Sequence, residues 1–161
     1  MTILCILMMT VYLAFRFELK FAVGAMIALL HDVVLSCLLI TALRIEIDIP
    51  VLAAILTIFG YSVNDTIVIF DRVRENQGKG TGLAMGDLLN VSINETLSRT
   101  VITVLCTLLS VIAIFFLGGE TLHGFSATLI FGFLIGCYSS IFIASPVVLG
   151  WTKYIKKEEK K

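Results

Sequence analysis

Apolar residues in this chain fall in long unbroken blocks rather than at the three-and-four spacing of a soluble amphipathic helix. Five blocks stand out, at 1–15, 21–43, 50–71, 98–117 and 122–152. A helix needs roughly 20 mostly apolar residues to cross a bilayer. The pattern therefore predicts an all-α fold, a polytopic bundle of transmembrane helices. The short alternating strands of a transmembrane barrel are not found. Most connections are brief: Arg16 to Lys20, RIEID at 44–48 followed by Pro50, and a turn around Gly118–Gly119. Pro50 suits the first position of a helix, where its missing N–H is not needed. The connection over 72–97 is the long one. QGKGTG (77–82) reads as a flexible turn within it, and Met85, Leu89, Ile93 and Leu97 then recur every four residues. That period predicts an amphipathic helix at the membrane surface, leading straight into the fourth block. The expected organisation is one transmembrane domain over 1–155 with a cytoplasmic loop at 72–97, then a solvated tail over 156–161.

Composition agrees with the pattern. The 161 residues are 58% hydrophobic and 15% charged, against about 45–50% and about 25% in soluble domains. The formal net charge is zero, but its distribution is informative: eleven of the twelve basic residues lie in the first and third connections, at their edges, or in the tail, and Arg44 lies in the second. The positive-inside bias places the first and third connections and the C-terminus in the cytoplasm. Five spans then put residue 1 on the outer side. Met1 opens directly into apolar sequence with no basic n-region or cleavage site. A span over 1–15 would reach only about 22 Å of a roughly 30 Å core. An upstream segment is therefore expected.

Several motif readings fail. Cys5, Cys37, Cys106 and Cys137 each sit in a different apolar block and form no C-x-x-C pair, so inert thiols are expected, with no metal site and no disulfide framework. GKGTG is not a phosphate loop, because Gly80 follows Lys79 where Ser or Thr is required. No cofactor is expected, and no nucleic-acid partner.

The candidate chemistry lies in polar groups set inside the apolar blocks. The stretch FGYSVNDTIVIFDRVREN (59–76) carries Asn64 and Asp65 about two turns before its basic end. A charged group at mid-membrane costs about 2.5–3.5 kcal/mol on insertion scales, and such groups pair, face a cavity or carry protons. Asp65 can thus be a proton site, or part of a hydrogen-bonded cluster with Asn64 and Thr66 that joins helices. Ser92, Glu95, Thr96, Arg99, Thr103, Thr107 and Ser110 recur at intervals of three and four in the fourth block. Arg99 falls at a depth like that of Asp65. A nearby guanidinium favours an ionised carboxylate, and a drier setting favours the protonated one. An Asp65–Arg99 pair that alternates between such settings would bind and release a proton; alternatively, Arg99 snorkels to the interface. His31 and Asp32 interrupt the second block and can be relay or structural support. Gly132, Gly136, Ser140 and Ala144 form a small-residue row that allows close helix approach, within the chain or between subunits. Pro146 is expected to kink the helix beyond them.

These stretches carry a resemblance. GYSVNDTIVIFDRVREN (60–76), ALLHD (28–32), NETLSRTVITVLCTLL (94–109) and FLGGETLHGFSATLIFGFLIGCYSSIFIASPVV (116–148) resemble the SecF family. SecF proteins are the smaller membrane subunit of the bacterial SecDF protein-export complex. The resemblance implies one half of a resistance-nodulation-division (RND) type transporter, normally six spans with a large periplasmic domain between the first two. The first span and that domain are the part expected to lie upstream of this sequence. It further implies a place in the bacterial inner membrane, SecD and the SecYEG translocon as partners, preproteins as substrate, and use of the proton-motive force. In the family, the carboxylate of the NDT motif and the arginine of the LSRT motif serve proton conduction, and they fall on Asp65 and Arg99. No enzymatic activity is implied. The alternative is an RND exporter of lipids or small molecules. An intramembrane protease is disfavoured because GxGD and GxSG are both absent.

Overall fold

A computed structural model describes Met8, residues 16–80 and residues 82–158, with side chains as far as Tyr154. The expected span over 1–15 lies outside the described residues apart from Met8. Among the described residues, five α-helices follow in order: α1 (Leu19–Ala42), α2 (Ile49–Gly78), α3 (Met85–Leu117), α4 (Glu120–Ser139) and α5 (Ser145–Glu158), the last two joined by a π-helical segment, Ser140–Ala144. Among the described residues, four helical stretches are long and apolar enough to cross a membrane, with α4, the π segment and α5 counting as one. The chain is a polytopic helical membrane bundle.

Helix ends follow local chemistry. Asp48 caps α2 by accepting from the Val51 amide at 2.8 Å, and Pro50 occupies the first turn. At the end of α1 the Ile45 amide donates to Ile40 O at 3.0 Å and the Arg44 amide to Thr41 O at 3.2 Å. That closure needs a left-handed residue, and Arg44 takes it at φ 52°. An L side chain there costs about 1–2 kcal/mol. Arg44→Gly is therefore expected to raise the unfolding temperature in detergent, and Arg44→Val to lower it. A drop with Gly would show that the Arg44 side chain outweighs the backbone strain.

Helix α2 runs further than its block suggested, and α3 opens with the amphipathic segment expected from the sequence. Helix α2 continues to Gly78, and the amphipathic segment from Met85 is continuous with α3, so 72–97 is mostly helical with a turn at its centre. An interhelical clamp supports both segments. Arg72 donates through Nε to Glu95 Oε2 at 2.7 Å and through Nη1 to Glu75 Oε2 at 2.6 Å. Asn76 Nδ2 donates to Glu95 Oε2 at 2.7 Å and to Ser92 Oγ at 3.1 Å. Asn76 and Arg72 hold the Glu95 carboxyl below the usual carboxylate range.

Helix α2 is central and packs against α1, α3 and α4. Apolar burial contributes little between helices in lipid, because acyl chains are as apolar as leucine. Close approach and interhelical hydrogen bonds matter more. Gly132 faces the Ile58 side chain directly, and a Cβ on Gly136 would lie 3.2 Å from Ser62 Cβ. At Gly24 in α1 a Cβ would lie 2.8 Å from Val148 Cγ2 and 3.0 Å from Ala144 O. The helix is not simply kinked at Pro146. It widens into the π segment one turn earlier, where the Ser145 hydroxyl donates to Ser140 O at 3.3 Å. Helix reversals bring Arg16, Asp71 and Arg74 to one end, where Arg16 meets Asp71 at 3.3 Å. Ile45, Glu46, Asp48, Glu120 and Thr121 share the other end.

Candidate functional site

Two carboxylates lie inside the bundle, in contrasting surroundings. Asp32, on α1, is fully buried. Its Oδ2 accepts from Ser62 Oγ of α2 at 2.5 Å and from Ser139 Oγ of α4 at 2.7 Å. Its Oδ1 lies 3.1 Å from Nδ1 of the half-buried His31. Adjacent side chains diverge on a helix, so the imidazole meets the edge of Asp32 rather than sharing a third partner with it. Every face of this carboxylate is satisfied, by residues of three helices.

Asp65, on α2, is 4% exposed, and its Oδ2 is buried with no hydrogen-bond partner among the described residues. An unmatched buried polar atom costs about 1–3 kcal/mol. Among the described residues Asp65 forms no ion pair. The Arg99 side chain, on α3, is exposed. The expected Asp65–Arg99 pairing is therefore not a contact in this arrangement.

The neighbours expected to hold Asp65 do other things. Asn64 is exposed on the outside of α2. Thr66 is buried, and its hydroxyl donates to Ser62 O at 3.0 Å rather than to Asp65. Thr103 donates back to Arg99 O at 2.9 Å and Thr100 O at 3.0 Å on the exposed face of α3. Of the polar stripe, Ser92 and Thr96 turn inward while Arg99, Thr103 and Ser110 face out. Thr107 meets the Tyr61 hydroxyl at 2.8 Å. Gly132 and Gly136 pack on α2 within this chain. Ser140 is buried with its hydroxyl on Cys137 O at 3.0 Å. Sequence reading missed Ser36, Ser62 and Ser139. The signal for Ser62 was its place one turn before Asp65; no signal pointed to Ser139.

Comparison with known proteins resolves what family this bundle represents. The family profile described as protein export membrane protein SecD/SecF, C-terminal, matches residues 1–154. The chain belongs to this family. Within the SecD/SecF family, the protein translocase subunit SecF of Thermodesulfovibrio yellowstonii is 51% identical over 142 residues, covering 86% of this chain and 47% of that protein. The SecF of Desulfurispirillum indicum is 46% identical over 161 residues, covering 97% and 51%. The protein translocase subunit SecDF of Thermus thermophilus is 46% identical over 148 residues, covering 92% of this chain and 20% of its own length. A crystal structure of SecDF in a super-membrane-facing form superposes with a TM-score of 0.91 at 44% identity, over 96% of this chain and 21% of that one. The chain thus spans about half the length of the SecF relatives it matches.

Proposed function

We propose that this chain is the transmembrane portion of a SecF-type subunit, which uses the proton-motive force together with a SecD-type partner to promote preprotein translocation. Membership of the SecD/SecF family supports the export role. The observation that carries the proton reading is Asp65, almost fully buried with a carboxylate oxygen left without a partner among the described residues. A carboxylate so placed can accept a proton without breaking a hydrogen bond. A shift of α3 would change its electrostatic surroundings. The driving force suffices in kind, since one charge crossing 100 mV releases about 2.3 kcal/mol. SecD is the natural occupant of the exposed polar face of α3, and the SecYEG translocon and a preprotein complete the machinery. The deciding experiment is preprotein translocation by the complete complex in vesicles, with and without a proton-motive force, comparing wild type with Asp65→Asn.

The orientation that this function needs has the basic end in the cytoplasm of a bacterial cell, below the inner membrane. In a background with the four native cysteines replaced, Gly119→Cys is expected to react with an impermeant maleimide in intact cells and Lys79→Cys only after lysis. The reverse pattern would overturn the topology.

A further inference from the structure

The contact between Asp32 and Ser62 fixes the register of α1 against α2, which run antiparallel. One turn from Asp32 along α1, toward Ala42, lies Ser36; one turn from Ser62 along α2, toward Gly78, lies Asp65. The helices run in opposite senses, so these two residues sit on opposite sides of the contact, each about 5 Å along the bundle axis. Ser36, Asp32 with its two serines, and Asp65 therefore form one file of about 10 Å. All five residues are buried, none more than 4% exposed. The middle of the file is saturated with hydrogen bonds, whereas both ends are open: among the described residues, Ser36 Oγ and Asp65 Oδ2 are the buried side-chain atoms without a partner. A cluster that served only to join helices would satisfy its ends, since each orphan costs about 1–3 kcal/mol.

We propose that Ser62 is the hydroxyl through which Asp65 and Asp32 exchange a proton, making Asp32 a second protonation site on a path internal to this chain. The inference rests on Asp65 being a proton site. Ser62 and Asp65 are three residues apart on one helix, about 5–6 Å between Cβ atoms, a gap that one water spans. The proton of a protonated Asp65 passes to Ser62 Oγ, through that water, as the hydroxyl proton of Ser62 passes to Asp32 Oδ2. One O–H bond breaks and one forms at each step. Asp65 is left ionised, Asp32 protonated, and Ser62 a neutral hydroxyl again. Ser139 bonds the same oxygen of Asp32, but its other contact is Gly136 O at 3.1 Å. It positions Asp32 and does not lead toward Asp65.

The test compares Ser62→Ala and Ser139→Ala in the complete complex, with Asp65→Asn as reference. Ser62→Ala is expected to reduce the force-dependent increment of translocation about tenfold or more. Ser139→Ala should reduce it less than about threefold. A purely structural role would not reproduce the spectroscopic signature: the infrared carboxyl band assigned through Asp32→Asn should shift when Asp65→Asn is introduced, and should not shift in a Ser62→Ala background. If Ser62→Ala fails to assemble, Ser62→Cys, similar in volume but only a weak hydrogen-bond donor and acceptor, carries the same comparison. A full increment in the Ser62 variant, or equal losses in the two serine variants, overturns the exchange through Ser62. Retention of the increment by Asp65→Asn would instead overturn the reading beneath it.

Discussion

In the complete complex, Asp65→Asn is expected to abolish the force-dependent increment of preprotein translocation while leaving the fold as stable as before, or more so. The two effects separate because of what surrounds the carboxylate. Asn has the shape of Asp but cannot ionise, and among the described residues Oδ2 of Asp65 has no partner to lose. Removing a buried carboxylate without a partner relieves desolvation rather than breaking a contact. Asp32→Asn should behave differently. Its amide can still accept from Ser62 and Ser139 through one oxygen, but a donor then replaces the acceptor beside His31. A mismatch in a saturated buried cluster costs about 1–3 kcal/mol, so thermal stability should fall together with activity. Measurement of translocation with and without the force, beside unfolding temperature in detergent, distinguishes the two acids. An intact increment in Asp65→Asn would reduce Asp65 to helix-joining polarity.

Gly132→Leu is expected to prevent assembly of the bundle. A Cβ on Gly132 would overlap the Ile58 side chain, which is 1% exposed and has no room to retreat. Overpacking by even small groups costs about 1–3 kcal/mol, and a whole leucine would push α4 off α2. That displacement would also withdraw Ser139 from Asp32, so the loss reaches the polar site. Leu134→Phe adds volume on the same helix, but its side chain points outward and is 52% exposed, so it should be tolerated. The milder Gly132→Ala should be rescued by Ile58→Ala, which vacates the overlapping space. Protease resistance and gel-filtration behaviour in detergent read out both comparisons. Equal tolerance of Gly132→Leu and Leu134→Phe would show that α4 does not dock on α2 through this face.

The four described spans were legible in the sequence because hydropathy is a property of each segment alone: a helix with about 20 apolar residues enters lipid whatever its neighbours do. The start of α2 was legible for the same reason, since Pro50 acts within one turn. Asp65 and Asp32 stood out because a charge in an apolar block is costly wherever the helix points. What each acid touches was another matter, for contacts depend on how every helix is rotated about its axis. That rotation is decided by Gly132 against Ile58, Gly136 against Ser62 and Gly24 against Val148, pairs separated by 74 residues or more of chain. Ser139 lies 107 residues from Asp32, beyond the reach of any local pattern, and only the packed bundle brings its hydroxyl to that carboxylate. The polar stripe on α3 likewise reads as one face in sequence. The packed bundle buries Ser92 and Thr96 and leaves Arg99 and Thr103 outside, because neighbouring helices, not the stripe's own period, determine which part of it is buried.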